Sequence, residues 1–277
     1  KPAMAPVKAA PFVPKGLVNR FAEAGERHGF RVQTMTEIDG CPLIALTKRV
    51  PGPRPRVYVS SGVHGDEPAA PLALLDLLER GVFDSRAVWF LIPMVNPTGY
   101  RQGSRENRAG VDLNRDYRHR VSPEITAHVK WLEYQPRFDL AFCLHEDWES
   151  TGYYLYELNP DQRPSLAQAM IDAVSATYPI DLAAQIDERP AEGGIIRPDP
   201  DPANRDLWPE AIYLRAHHTS LCYTLEAPSA FPLADRIAMH ALAIENALSR
   251  FCEGSFPIAH GVSDALNRGA TIPLHNA

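Results

Sequence analysis

Apolar residues recur along this chain with two periods, and the periods mark out its elements. Residues 15–30 place Leu17, Phe21 and Ala24 on one face, the spacing of a helix. Residues 31–50 alternate instead, with Val32 and Thr34, then Leu43 and Ala45, flanking Asp39-Gly40, which is a hairpin signal. After the turn Pro51-Gly52-Pro53-Arg54-Pro55, residues 56–61 read as a β-branched strand. Residues 68–80 then read as a helix faced by Leu72, Leu75 and Leu78 and ended by Gly81. The runs 87–95, 138–144, 153–158 and 220–225 read as further strands. Three of them, 87–95, 138–144 and 220–225, are largely apolar, the pattern of strands covered on both faces. Ser122-Pro123-Glu124 opens a helix reaching about Tyr134, and 164–178 and 232–252 carry helical periodicity. Residues 96–120 and 187–210 have no period and read as long polar loops, which in compact domains usually serve a function. The alternation predicts a three-layer α/β/α fold on a central mixed, mostly parallel sheet. With no linker or repeat, residues 1–277 form one catalytic-type domain, preceded over 1–14 by a loosely ordered Pro/Ala-rich lead-in.

Composition narrows the class. A chain of 277 residues with 45% hydrophobic and 22% charged content is an ordinary globular protein with ample core. A net charge of −6 gives no general attraction to nucleic acid, and no apolar run is long enough to span a membrane. The four cysteines, Cys41, Cys143, Cys222 and Cys252, form no CxxC pair, so they read as buried thiols rather than a zinc-thiolate site. Thiols favour a reducing compartment, and a cytoplasmic location is the expectation, with a leader removed before Lys1 as the open alternative.

The chemistry gathers at strand ends. His64 and Glu67 lie on the turn that follows the 56–61 strand, and His145 and Glu226 close two other buried strands. Singly, each has a plain reading: a capping histidine, a first-turn helix acid, a surface carboxylate. Together, at the edge where open α/β sheets bind ligands, they suggest one zinc ion held by His64, Glu67 and His145 with a fourth position open. Glu226, following small and apolar residues, is then the general base, its pKa raised by partial burial. The loop from Arg105 to Tyr117 adds arginines suited to gripping a carboxylate or stabilising an oxyanion.

These residues, His64-x-x-Glu67, Asp112-Leu113-Asn114-Arg115, His145 and Glu226, resemble in order and setting the zinc metallocarboxypeptidases of the carboxypeptidase A-like family. The likeness spans about residues 56–235. It is nearest to the compact bacterial murein-peptide amidases and cytosolic carboxypeptidases, within a superfamily that also includes aspartoacylase and succinylglutamate desuccinylase. The resemblance implies one zinc per chain on His64, Glu67 and His145, oriented by Asp112, with Glu226 as general base. It implies Arg105 at the oxyanion, with Arg108 as the alternative, and Asn114 with Arg115 on a substrate carboxylate. Tyr213, or less readily Tyr223, would cap the substrate, and Arg197 and Arg205 in the 187–210 loop would favour acidic groups. The expected reaction is zinc-dependent hydrolysis of a C-terminal amide bond of a peptide, of cell-wall type among the options. The alternative is deacylation of an N-acyl amino acid, and a non-catalytic carboxylate-binding module is the remaining reading. The expected partner is a peptide or acylated amino acid with a free carboxylate. The cluster Glu146-Asp147-Trp148-Glu149 has no counterpart in the resemblance.

Overall fold

In the computed structural model, which describes residues 13–253, the elements run in order as α1 (Pro14–Arg27), β1 (Arg31–Ile38), β2 (Cys41–Lys48), β3 (Arg56–Ser60), α2 (Ala69–Glu79), β4 (Val88–Ile92) and α3 (Pro97–Gln102). They continue as α4 (Pro123–Glu133), β5 (Leu140–Asp147), β6 (Tyr154–Leu158), α5 (Ala167–Ser175), β7 (Gln185–Ile186), β8 (Arg189–Glu192), β9 (Ile195–Ile196), α6 (Glu210–His217), β10 (Cys222–Pro228) and α7 (Leu233–Glu253). Among the described residues the strands form one sheet in the order β1-β2-β4-β3-β5-β10-β6-β9-β8-β7. Its centre, β4-β3-β5-β10, is parallel, while β1 and β2 on one flank and β6 beside β10 run antiparallel to their inner neighbours. The sheet is therefore mixed, with the parallel part where the apolar runs are longest.

Alternation along the central strands sets the layers. Val57, Val59, Leu91, Phe142, Leu144 and Leu225 pack with α1, α2, α5 and α7 on one face. Their neighbours Tyr58, Phe90, Ala141 and Cys143 pack with Ile125, Val129 and Leu132 of α4 and Ile212 and Leu214 of α6 on the other. A strand covered on both faces has no polar side to show, which is why these runs are largely apolar. Cys41, Cys143 and Cys222 are buried thiols, as expected. No helix among the described residues is long and apolar enough to cross a membrane. The lead-in over 1–12 and the tail beyond 253 lie outside the described residues.

The two stretches read as loops contain structure. Residues 97–102 form α3, capped by Asn96, whose Oδ1 accepts from Gly99 N at 2.8 Å. Residues 189–196 form two short strands, and α6 (Glu210–His217) begins where the second stretch ends. These pieces are only a few residues long, so they carry too few apolar positions for a period to register. The 164–178 helix is shorter than its periodicity suggests, at Ala167–Ser175.

Under the sheet's carboxyl edge lies a buried polar chain. Tyr117 OH and His128 Nδ1 are 2.9 Å apart, His128 Nε2 and Tyr58 OH 2.9 Å, and Tyr58 OH donates to Glu210 Oε1 at 2.6 Å. A neutral imidazole, donating at one nitrogen and accepting at the other, completes this run. Burial holds His128 neutral by lowering its pKa to about 3. Burial likewise raises the Glu210 carboxyl to about 7, against the pull of hydrogen bonds from Tyr58 and its neighbours. The sign follows: between its ordinary value of 4.5 and about 7 the folded chain binds the proton that the unfolded chain has released. That contribution is complete below pH 4.5 and is lost as pH rises through about 7, an amount on the order of 3 kcal/mol. Urea unfolding of Glu210→Gln across this range should therefore show a flatter pH dependence than the wild type. Parallel curves for the two proteins would contradict it.

Candidate metal centre and its cleft

The turn after β3 is held by close backbone approach. Gly62 sits at φ +68°, and its carbonyl accepts from Val95 N at 3.1 Å and Asn96 N at 2.8 Å. Three residues on, a Cβ on Gly65 would lie 1.9 Å from the carbonyl carbon of Gly99, so only glycine allows this contact. Asn96 Nδ2 adds bonds to the carbonyls of Val63 at 3.3 Å and Arg105 at 3.2 Å. The turn that presents His64 and Glu67 is thus pinned to the start of α3 and to the arginine loop.

His64, Glu67 and His145 are buried and converge. His64 Nδ1 lies 2.6 Å from Glu67 Oε1, and His145 Nδ1 lies 3.0 Å from Glu67 Oε2. The candidate ligand atoms all fall within 4.8 Å of one another. Tetrahedral zinc with bonds of about 2.0–2.2 Å places its donors roughly 3.3 Å apart, so small side-chain adjustments would suit this set to one ion. Two imidazoles and a carboxylate are also the donor chemistry that zinc accepts. His64 Nε2 meets Asp112 Oδ1 at 3.1 Å, which fixes the ring and frees Nδ1 for the centre.

The charges are divided unequally across this group. Burial disfavours a charged His64, but Glu67 and Asp112 outweigh it and raise its pKa to about 9. Burial acts on His145 in the same sense and prevails there, so its pKa is lowered. Burial alone would raise Glu67, yet the two imidazoles hold it well below the usual carboxylate range.

The cleft around this centre has a volume of about 1200 Å³, and Glu226, Arg105, Asn114 and Arg115 all line it. Glu226 pairs in register with His145 across parallel β10 and β5, so the two side chains leave the sheet on the same face. It is half-buried, and burial, with Glu67, Asp147 and Asp187 nearby, raises its carboxyl well above the ordinary range. Arg105 Nε donates to Asp112 Oδ2 at 3.0 Å, and its Nη1 lies 3.9 Å from Glu67 Oε1. Asn114 Oδ1 accepts from Glu210 N at 2.9 Å, which turns its amide NH2 toward the cleft.

Four expectations change. Tyr213 does not reach the cleft: α6 buries it against Tyr117, His217 and His218. Tyr223 is buried too, and its hydroxyl donates to Glu157 Oε2. Arg108 is drawn away by Asp39, with Nη1 2.6 Å from Oδ2, and does not line the cleft. Arg197 donates to Glu157 Oε1 at 2.9 Å rather than facing the cleft. Residues unread in the sequence take their places: Tyr154 and Tyr156 of β6 and Arg189 of β8 line the cleft beside the expected Arg205. The signal for the two tyrosines was position, since β6 lies beside β10 and pairs Tyr154 with Glu226.

A mixed α/β sheet with such a donor set and a carboxylate at its carboxyl edge defines a metal-dependent hydrolase. The succinylglutamate desuccinylase/aspartoacylase catalytic domain matches residues 53–251, and the chain belongs to that family. This is the branch that the sequence reading held as its alternative to the carboxypeptidases. Two solved structures described as candidate metallopeptidases are similar. One, from Shewanella amazonensis, has 26% identity and a TM-score of 0.73 over 84% of this chain and 91% of that one. The other, from Shewanella denitrificans, has 25% identity and a TM-score of 0.74 over 84% and 88%. A metallo-carboxypeptidase from Burkholderia cenocepacia shares the fold at 18% identity, with a TM-score of 0.64 over 87% of this chain and 70% of that one. No match is found among curated proteins.

The tight contact at Gly65 makes a local prediction. Gly65→Ala must push the His64 turn off the Gly99 backbone, at a cost on the order of 3 kcal/mol. Thermal unfolding should show a lowered midpoint, and isothermal titration a weakened response to zinc. Wild-type values for both would refute the packing argument.

Proposed function

We propose that this protein is a zinc-dependent amide hydrolase that removes an acyl group from the nitrogen of an amino acid or short peptide bearing a free carboxylate. The observation that carries this reading is the register pairing of His145 with Glu226 beside His64 and Glu67. It sets a free carboxyl next to the buried donors, within one cleft. The chemistry supplied by zinc in such a donor set is Lewis acidity, which acidifies water and polarises a carbonyl.

The chain's own residues divide the remaining work. Glu226 takes the proton from the attacking water and returns it to the leaving nitrogen. Arg105, fixed by Asp112, faces the carbonyl oxygen where negative charge develops. The Asn114 amide NH2 and the Arg115 guanidinium hold the substrate carboxylate.

The deacylase reading is supported by the family match and by a cationic wall in the cleft. Arg115 and Arg205 donate to the backbone carbonyls of Asn114 and Asp199, each at 2.9 Å, and among the described residues to no carboxylate. Arg189 lies close enough that burial, Arg189 and Arg115 all disfavour charge on Arg205. Such a wall suits a substrate carrying anionic groups. A second reading, carboxypeptidase action on a longer peptide, is favoured by the cleft's volume of about 1200 Å³. That volume exceeds the range of about 300–1000 Å³ usual for small ligands.

Glu226→Gln should retain zinc by elemental analysis while kcat/KM falls by about two or more orders of magnitude. Near-normal turnover would remove Glu226 from this role. Chelation should abolish activity and added zinc restore it. N-acyl amino acids, ordinary peptides and cell-wall tripeptides should be compared side by side, with N-acyl amino acids expected to turn over fastest. Cleavage confined to peptides would favour the carboxypeptidase reading.

A further inference from the structure

The cluster after His145 divides its side chains by direction. Trp148 is 70% exposed at the cleft rim, and Asp147 Oδ2 accepts from Tyr154 OH at 2.9 Å. Glu146 turns inward, with its side chain fully buried. Its Oε1 accepts from the backbone N–H of Ala69 at 2.5 Å. Its Oε2 pairs with Arg236 Nη1 and accepts from Ser229 Oγ at 3.3 Å. With both oxygens engaged, this carboxylate is not available to shuttle a proton in the cleft.

The partners of Glu146 are informative. Ala69 opens α2 two residues after Glu67, and α2 has no side-chain cap from its own N-cap residue, Pro68. First-turn N–H groups need an acceptor, which a neighbouring Ser, Thr, Asp or Asn normally supplies. Here the acceptor is the residue that follows His145. One hydrogen bond therefore ties the segment carrying Glu67 directly to the strand carrying His145. Arg236 and His240 stand one turn apart on α7 and both hold that strand. Arg236 holds the Glu146 carboxylate, and His240 Nε2 donates to the His145 carbonyl at 2.9 Å.

We infer that Glu146 and Arg236 are positioning residues for the metal ligands, setting the separation of Glu67 from His145 through the Glu146–Ala69 bond. A burial role alone explains this arrangement poorly. A buried ion pair is often no more stabilising than an apolar pair of the same volume, so its retention needs another reason. The inference rests on the reading of His64, Glu67 and His145 as a zinc site. It concerns how tightly the ion is held, not which substrate is cut.

The test is zinc competition against a chromophoric chelator on the full chain, with thermal unfolding of the zinc-free protein as the control. Glu146→Gln with Arg236→Gln keeps an oxygen for Ala69 N and should bind zinc within a few-fold of the wild type. Glu146→Leu with Arg236→Met should remain folded but lose about 10- to 100-fold in zinc affinity, the usual effect of removing support behind metal ligands. Unchanged affinity in a folded Leu/Met protein overturns the proposal. An equal loss in both double variants also overturns it, because the effect would then belong to charge near the ion. Should the Leu/Met protein not fold, Glu146→Asp carries the test, since it keeps the charge beside Arg236 but draws the carboxylate back from Ala69 N. A several-fold loss of affinity at an unchanged melting temperature supports positioning, and no loss overturns it. A wild-type chain that binds no zinc sinks the metal reading and this inference together. Zinc binding by the wild type with no effect in the variants sinks this inference alone.

Discussion

A carboxylate buried between two imidazoles is the constraint around which this molecule is arranged. Glu67 would be costly to bury as an isolated charge, and it is tolerated because His64 and His145 approach its two oxygens at 2.6 and 3.0 Å. Those approaches require a turn and a strand distant in sequence to meet within a fraction of an ångström. Much of the surrounding structure serves that meeting. Gly65 lies against the Gly99 backbone, Asp112 fixes the far side of the His64 ring, and Glu146 ties the start of α2 to β5.

The cleft separates two kinds of electrostatics. Burial, with Glu67, Asp147 and Asp187 nearby, raises the Glu226 carboxyl above the ordinary range. Arg105, Arg115, Arg189 and Arg205 line the same cleft and bring positive charge to it. A carboxyl resistant to ionisation and a group of guanidinium ions thus line one cavity. The overall charge of −6 gives no hint of these arginines, because net charge averages over the whole chain.

What could be read from the sequence follows from the range of the interactions concerned. The Asp39-Gly40 hairpin and the apolar runs of β3, β4, β5 and β10 are local patterns, and they appear where expected. The His64-x-x-Glu67 spacing and the strand-end His145 and Glu226 were legible because a sheet's carboxyl edge collects whatever its strands end in. Both strands run three residues past the apolar runs, since Asp147 and Pro228 continue the pairing. Tyr213 was misread because α6 is only eight residues long and too weakly patterned to reveal which face it buries. Arg108 was misread because its partner, Asp39, lies 69 residues away on another turn. Glu146 stayed unexplained for the same reason: its partners, Ala69 and Arg236, are brought to it only by the finished fold.

Strand order has a consequence for how the chain is made. β5 and β6 follow one another in sequence, yet β10 lies between them, paired with β5 on one side and β6 on the other. As the polypeptide leaves the ribosome, two strand edges must therefore wait, unpaired, for a segment made more than sixty residues later. Bare edges of this kind recruit other chains. A nascent chain stalled before Cys222 lacks the acid at position 226 and exposes the sites at which it would aggregate.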